Sequence, residues 1–237
     1  MKLKFFIITI ALAAATAAAA DYGLTARRAD RNFAFGEWAQ AGALYELMLD
    51  ERPDSAGVYS RAIVAASMLG DSARCASLLE RAMAHSVALD SVVEGVRAAA
   101  YGAGHASVYA DFLHRARTRM PWLARAMDAR LLDYYDSRSD GPEIVRLAEA
   151  MLAGLPGSTR YLAMLARGHM LQGHEKEAEE AWRRILDADP GDIDALRALG
   201  CRLAASGRPA EARVLLERAQ AEDPTPYIEH LLETCTE

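Results

Sequence analysis

The sequence has few of the features that mark disulfide-linked, nucleic-acid-binding and β-sheet proteins. It contains 3 Cys in 237 residues, an odd number with no CxxC or Cys/His spacing, which argues against a disulfide framework and a zinc site. Its 27 basic and 33 acidic residues give a net charge of −6, and the basic ones form no run. A chain with this net charge and no cluster of basic residues lacks the basic patch that nucleic-acid-binding proteins use. Alternating β-branched stretches are scarce, so strands have little support.

Sequence motifs for catalysis are also missing. There is no Gly-rich phosphate loop, no GxSxG and no Walker pattern. The stretch from His174 to Glu177 begins like a zinc-binding helix but lacks the second His, and the 6 His residues have no metal-ligand spacing. Cys75 occupies a small, core-type position, where a packed thiol is expected rather than a nucleophile with an activating base. We therefore predict a protein that is not an enzyme and has no catalytic residue, metal or cofactor.

The first twenty residues differ from the rest of the chain. Lys2 and Lys4 precede an apolar stretch from Phe5 to Ala20, which ends in small residues before Asp21. This pattern is typical of a secretory signal peptide over residues 1–20, cleaved after Ala20, and it predicts a periplasmic or secreted protein. The alternative is an uncleaved membrane anchor, although the apolar stretch is shorter than the roughly 20 residues that span a bilayer. After cleavage we expect no membrane insertion.

Glycine and proline recur with a fixed period. The glycines are 34, 34, 69 and 34 residues apart. A proline follows 17 residues after each periodic glycine except Gly70, where Val87 stands, and Pro156 has no periodic glycine before it. Glycine ends one helix by adopting a conformation that a Cβ disfavours, and proline stops the next helix. The two series are Gly36, Gly70, Gly104, Gly173 and Gly207, and Pro53, Pro121, Pro156, Pro190 and Pro224.

Apolar residues keep the same phase within each 34-residue unit, when the periodic glycine is counted as position 15. Positions 4, 7, 8 and 11 form one face of a first helix, and positions 20, 24 and 27 form one face of a second helix. Small residues at positions 8 and 20 allow the two helices to cross closely. In the unit that contains Gly207 these residues are Leu196, Leu199, Gly200 and Leu203, then Ala212, Leu216 and Ala219.

This pattern resembles the tetratricopeptide-repeat family, whose motif is W-x2-L-G-x2-Y, then G, then A-x3-F-x2-A, then P. The stretch from Glu177 to Asp192 matches its second helix closely. The resemblance implies an all-α, right-handed superhelical solenoid of about six helix-turn-helix repeats over residues 21–226, followed by a closing helix over 227–237. The predicted units are 22–55, 56–89, 90–123, 124–158, 159–192 and 193–226.

Three departures from the pattern affect the middle of the chain. Val87 replaces the usual proline, while Arg97 at position 8 and Tyr109 at position 20 predict splayed helices in the third unit. The unit 124–158 carries one extra residue, which we place in the turn Ser137–Pro142.

The resemblance also implies that first helices line a concave groove through positions 2, 5, 9, 12 and 13. Position 12 reads Phe33, Ser67, Tyr101, Tyr135, Met170 and Ala204. Aromatic residues and Met are favoured at protein interfaces, but the same side chains could instead pack against a neighbouring helix. Tyr101 and Tyr135 would form the centre, with Asp136 available to a basic group of the ligand. The predicted partner-binding residues are Phe33, Met68, Tyr101, Leu132, Tyr135, Asp136, Arg167, Met170 and Arg197.

These patterns favour a non-catalytic protein–protein interaction scaffold of the bacterial cell envelope, which binds a peptide or partner helix in its groove. The alternative is a structural module that self-assembles through its end repeats. Cys201 and Cys235 fall at position 9 of adjacent first helices. Packed helix axes are about 8–10 Å apart, whereas a disulfide needs Cα atoms within about 7 Å, so we expect free thiols.

Overall fold

The structure is a computed structural model, and it describes residues 21–235. Helices account for the regular structure, and no strand occurs within these residues, which confirms the predicted all-α fold. The predicted signal peptide, residues 1–20, lies outside the described residues. The helices are α1 (21–34), α2 (Trp38–Glu51), α3 (Ala56–Met68), α4 (Ser72–Ala84), α5 (Leu89–Gly102), α6 (Ala106–Arg119), α7 (Ala124–Ser137), α8 (Gly141–Gly154), α9 (Thr159–Leu171), α10 (Glu175–Ala188), α11 (Ile193–Ala205), α12 (Pro209–Glu222) and α13 (Pro226–Thr234).

The helices form two compact units that divide between Leu123 and Ala124. The N-terminal unit contains α1 to α6 and a short 3-10 helix, Pro121–Leu123. The C-terminal unit contains α7 to α13. No helix within residues 21–235 is both long and apolar enough to cross a membrane.

The periodic glycines sit in the turns that join the first and second helices. Each of the five has a positive φ, between 72° and 78°, a region in which a Cβ is disfavoured and glycine is not. Gly70 is typical, because its three-residue turn separates α3 from α4 and its N–H donates to the Ser67 carbonyl at 3.0 Å. The glycine series therefore ends helices as the sequence predicts.

Glycines and other small residues allow close helix crossings in the C-terminal unit. A Cβ on Gly200 would lie 2.8 Å from Cγ of Leu216, so α11 and α12 can approach closely only with glycine at this position. Gly168 on α9 is similarly close to Val145 on α8. The core around α11 and α12 consists of Leu196, Leu199, Leu203, Ala212, Leu216, Ala219, Ile228 and Cys235.

The N-terminal unit has a different close contact, between the successive first helices α3 and α5. The Ser60 hydroxyl is buried and donates to the Val92 carbonyl at 3.0 Å. A Cβ on Gly95 would lie only 2.3 Å from that hydroxyl oxygen. The serine and the glycine thus bring α3 against α5, while α4 approaches α6 at only a few positions.

Candidate partner-binding surface

The turn after each first helix has the same hydrogen bond in all six repeats, so it shows which residues of the first helices are equivalent. In every turn, an N–H donates back to the carbonyl five residues earlier, as from Asp71 to Ala66 at 3.0 Å and from Asp140 to Tyr135 at 3.0 Å. This bond closes the helix end around the residue with positive φ. The accepting residues are Asn32, Ala66, Ala100, Tyr135, His169 and Leu203.

The alignment corrects the predicted register of α7. Ser139 has φ of 56° and takes the place that glycine holds in the other five turns. The turn after α7 is therefore no longer than the others, so the extra residue of this repeat lies before it and not within Ser137–Pro142 as predicted. The start of α7 is also regular, because α7 begins three residues after Pro121 just as α9 begins three residues after Pro156. The extra residue therefore lies within α7, which is one residue longer than α9.

Two predicted groove residues change their role as a result. Leu132 is 0% exposed, so the prediction that it lines a partner surface is wrong, because the shift places it at a core position. Tyr135 becomes the equivalent of Ala100, one position towards the core, and it is half-buried. Burial raises the pKa of Tyr135, and its ring packs edge-on against Tyr134 with centroids 5.2 Å apart. Asp136 is the structural equivalent of Tyr101.

In the N-terminal unit, the first-helix surface is centred on Tyr101. Its side chain is 43% exposed, and its ring lies edge-on to the ring of Tyr109, 6.4 Å between centroids. Tyr109 is only 3% exposed, so a buried ring supports an exposed one. Phe33 is half-buried because it packs edge-on against Trp38, at 5.1 Å. Met68 at the end of α3 is also half-buried.

In the C-terminal unit, the predicted groove residues are largely engaged in ion pairs. Asp136 pairs with Arg167 of the next first helix, so its carboxylate already has a basic partner within the chain. Arg197 pairs with Asp194 at 2.6 Å on its own helix. Met170, equivalent to Tyr101, is half-buried. The three charged residues predicted here are therefore paired within the chain, and Met170 is the predicted apolar residue of this surface.

A second ion pair follows the same geometry and was not predicted. Arg160 on α9 approaches Asp133 on α7 with an N–O distance of 2.9 Å. The corrected register places Asp133 at position 9, the groove position that the uncorrected count assigned to Leu132. The count that identifies Asp133 runs back from Ser139, whose role in the turn is visible only in the structure.

The buried thiol of Cys75 is not activated. All three cysteines are free in this structure, and thiol counting tests the prediction for Cys201 and Cys235. Burial raises the pKa of Cys75, and the nearby Ser67 hydroxyl and Arg115 guanidinium offset only part of this effect. A raised pKa keeps the thiol protonated and weakly nucleophilic at neutral pH. Within residues 21–235 no group of three or more His, Cys, Asp or Glu side chains is arranged to hold a metal ion.

Solved structures identify the arrangement of helices. The chain superposes on the C-terminal part of a TPR repeat-containing protein from Cytophaga hutchinsonii with a TM-score of 0.51 and 15% identity, over 83% of this chain and 78% of that one. The chain has the tetratricopeptide-repeat fold. This confirms the resemblance inferred from the glycine and proline periods. No family model and no curated protein matches the sequence.

Two other solved structures with the tetratricopeptide-repeat arrangement are similar to this chain over part of their length. One is the APC/C hetero-tetramer Cut9-Hcn1, with a TM-score of 0.51 and 12% identity over 84% of this chain. The other is Naa15/Naa10 bound to HypK-THB, with a TM-score of 0.52 and 14% identity over 91% of this chain. This chain covers 40% and 34% of those chains, so the likeness is one of repeat geometry.

Proposed function

We propose that the protein is a non-catalytic scaffold that binds another protein through the surface of its first helices. The observation that carries this proposal is Tyr101, a large ring that is 43% exposed and braced by the buried ring of Tyr109. A rigid, partly exposed aromatic loses little side-chain entropy on binding, and aromatic residues carry much of the energy at protein interfaces.

The charge pattern of the C-terminal unit supports a partner of mixed character. The Asp136–Arg167 and Arg160–Asp133 pairs neutralise the charges near half-buried Met170, which lies one helical turn after Arg167 on α9. Apolar patches rimmed by polar groups are typical of interaction sites. A peptide or helix with one apolar face fits this surface better than a strongly charged tail. Two of the similar structures are themselves complexes of several proteins, which agrees with this proposal.

The location that we propose is the bacterial cell envelope, after removal of residues 1–20. The proposal rests on the charged start, the apolar stretch and the small residues before Asp21. N-terminal sequencing of protein purified from the native host tests it independently of partner binding.

Affinity capture from native envelope fractions tests the binding proposal, with three forms of the protein compared. The wild type should retain a specific partner, and Tyr101→Ala should lose most of it. The matched control removes exposed apolar area from second helices instead, by Leu47→Ala and Val214→Ala, each of which is 58% exposed in the native protein. Equal retention by all three forms would contradict binding through the first helices.

Light scattering over a concentration series tests the alternative of self-assembly. A scaffold for other proteins should keep one molar mass across the series. A mass that rises with concentration, and that falls back in Tyr101→Ala, would mean that the surface binds copies of the same chain.

A further inference from the structure

A cleft of about 820 Å³ lies between α4 and α6 in the N-terminal unit. It is lined mainly by second helices, with Ser67 at the end of α3, and neither Tyr101 nor Tyr109 lines it. On the first-helix side of this unit, α3 and α5 are in close contact through Ser60 and Gly95. The second helices α4 and α6, which flank the cleft, meet at only a few positions.

The floor of the cleft is apolar. It is formed by Cys75 and Leu79 of α4 and by Phe112 and Ala116 of α6, all four of which are buried. The Cys75 thiol lies 3.2 Å from the Ser67 hydroxyl. Ligand sites in proteins are concave, mostly apolar and commonly about 300–1,000 Å³ in volume, and this cleft falls within that range.

The rim of the cleft is basic. Arg119 is neutralised by Glu80, with an N–O distance of 3.1 Å. Arg115 also lines the cleft, and its positive charge partly offsets the rise that burial causes in the pKa of Cys75. Within residues 21–235, Arg115 forms no ion pair with a carboxylate. A guanidinium with this freedom can pair with a carboxylate through two parallel hydrogen bonds.

We propose that this cleft binds a small apolar molecule with one carboxylate, whose apolar part lies against Leu79 and Phe112 and whose carboxylate pairs with Arg115. The apolar floor favours an aliphatic or aromatic body, and the Arg115 guanidinium at the rim favours an anionic head. This site does not depend on the proposed scaffold function, and either can fail without the other.

Fluorescence of 8-anilinonaphthalene-1-sulfonate, an apolar anion, reports on occupancy of the cleft in the folded protein. Its signal should saturate at one molecule per chain. Dodecanoate, kept below its micelle concentration, should displace it, and dodecanol should displace it at least about tenfold less well because it lacks the charge that pairs with arginine. Equal displacement by dodecanol, or none by dodecanoate, would overturn the proposal. Displacement of the probe by an uncharged apolar peptide amide as effectively as by dodecanoate would also overturn the proposal, because the cleft would then not select a small carboxylate.

Two variants test the location. Arg115→Gln should weaken dodecanoate about tenfold and leave dodecanol unchanged, while Arg31→Gln, an equal loss of charge on exposed α1, should change neither. Ala76→Phe should fill the cleft and remove the fluorescence signal. If Arg115→Gln and Arg31→Gln behave alike, or if folded Ala76→Phe still binds the probe, the cleft is not the site.

Thiol labelling gives a readout that needs no variant. Dodecanoate should slow the modification of Cys75 by N-ethylmaleimide, as followed by peptide mass spectrometry. Cys201, which is half-buried in the C-terminal unit, serves as the internal control and should react at an unchanged rate. Absence of protection at Cys75, or equal protection of both thiols, would refute binding in the cleft.

Discussion

Replacement of Tyr101 by Ala separates a binding role from a packing role for the exposed ring of the N-terminal unit. Truncation of a fully buried large aromatic costs about 3–5 kcal/mol of unfolding free energy. Because Tyr101 is 43% exposed, we expect about half of that, roughly 2 kcal/mol. Alanine recovers about 0.5 kcal/mol through its higher helix propensity. The net loss for Tyr101→Ala should be about 1–2 kcal/mol.

Tyr109 supplies the internal comparison, since its ring touches that of Tyr101 but is only 3% exposed. Tyr109→Ala should cost about 3–5 kcal/mol. Urea unfolding followed by circular dichroism measures both, and the midpoints should differ clearly if the slopes are similar. Tyr101→Phe keeps the ring and should stay within about 0.5 kcal/mol of the wild type, as is usual for surface substitutions.

The same Tyr101→Ala variant should weaken partner binding by about 2 kcal/mol, which is close to a 30-fold increase in Kd. A stability loss for Tyr101→Ala as large as that for Tyr109→Ala would show that the ring belongs to the core. Unchanged partner affinity in a stable Tyr101→Ala protein would equally refute its place in the binding surface.

Four further predictions concern the rest of the molecule. Gly168→Ala should destabilise by about 1 kcal/mol in urea unfolding, because overpacking against Val145 outweighs the helix propensity gained. Gly57→Ala should instead stabilise by about 0.5 kcal/mol, because its Cβ would lie 3.8 Å from the Arg61 guanidinium, an ordinary contact distance. Ser139→Gly should raise the unfolding free energy by about 1 kcal/mol because it relieves a left-handed φ of 56°. Thiol counting under denaturing, non-reducing conditions should find three free thiols, and a count of one would indicate a disulfide. N-terminal sequencing should place the start near Asp21, and a membrane-bound protein that begins at Met1 would contradict export.

The turns could be predicted from the sequence because each is a local requirement of the backbone. Gly36 and Gly207 both adopt φ near 74°, at 75° and 73°, and only glycine does so without strain. Their 34-residue period therefore marks helix ends directly. The apolar positions on either side then follow from the geometry of a helix, and the hairpins of α11 and α12 have the core that was predicted.

The register of α7 could not be predicted from the same marks. Ser139 takes the glycine's place in the turn, but a serine in a sequence does not indicate a left-handed φ. Gly104 and Gly173 are 69 residues apart, one more than two periods of 34, so the position of the extra residue stayed open. The adjacent pair Leu131 and Leu132, both fully buried, was the available signal. Positions 7 and 8 carry core residues in the other first helices. If Leu131 and Leu132 are assigned to these positions, the extra residue must come before them and not in the turn after α7.

The cleft depends on contacts between residues far apart in sequence, which no periodic pattern encodes. Ser60 and Gly95 meet only after α3 and α5 have packed. The sequence did mark this region through Arg97 and Tyr109, which break the small-residue rule at positions 8 and 20. Those departures predict altered helix packing in the third 34-residue repeat, residues 90–123. They do not predict which helices move together or that a cleft lies between α4 and α6.

A departure from the repeat is what gives this fold a concave pocket. In the C-terminal unit, second helices pack closely on the following first helices, as α8 does on α9 through Gly168 and Gly141. In the N-terminal unit, α2 packs on α3 in the same way, whereas α4 makes little contact with α5, and α3 contacts α5 directly. A larger residue at position 95 could not approach Ser60, so Gly95→Ala should push α5 away from α3 and change the cleft. Loss of probe fluorescence in a folded Gly95→Ala protein, with partner binding at Tyr101 retained, would show that the two sites have separate structural origins.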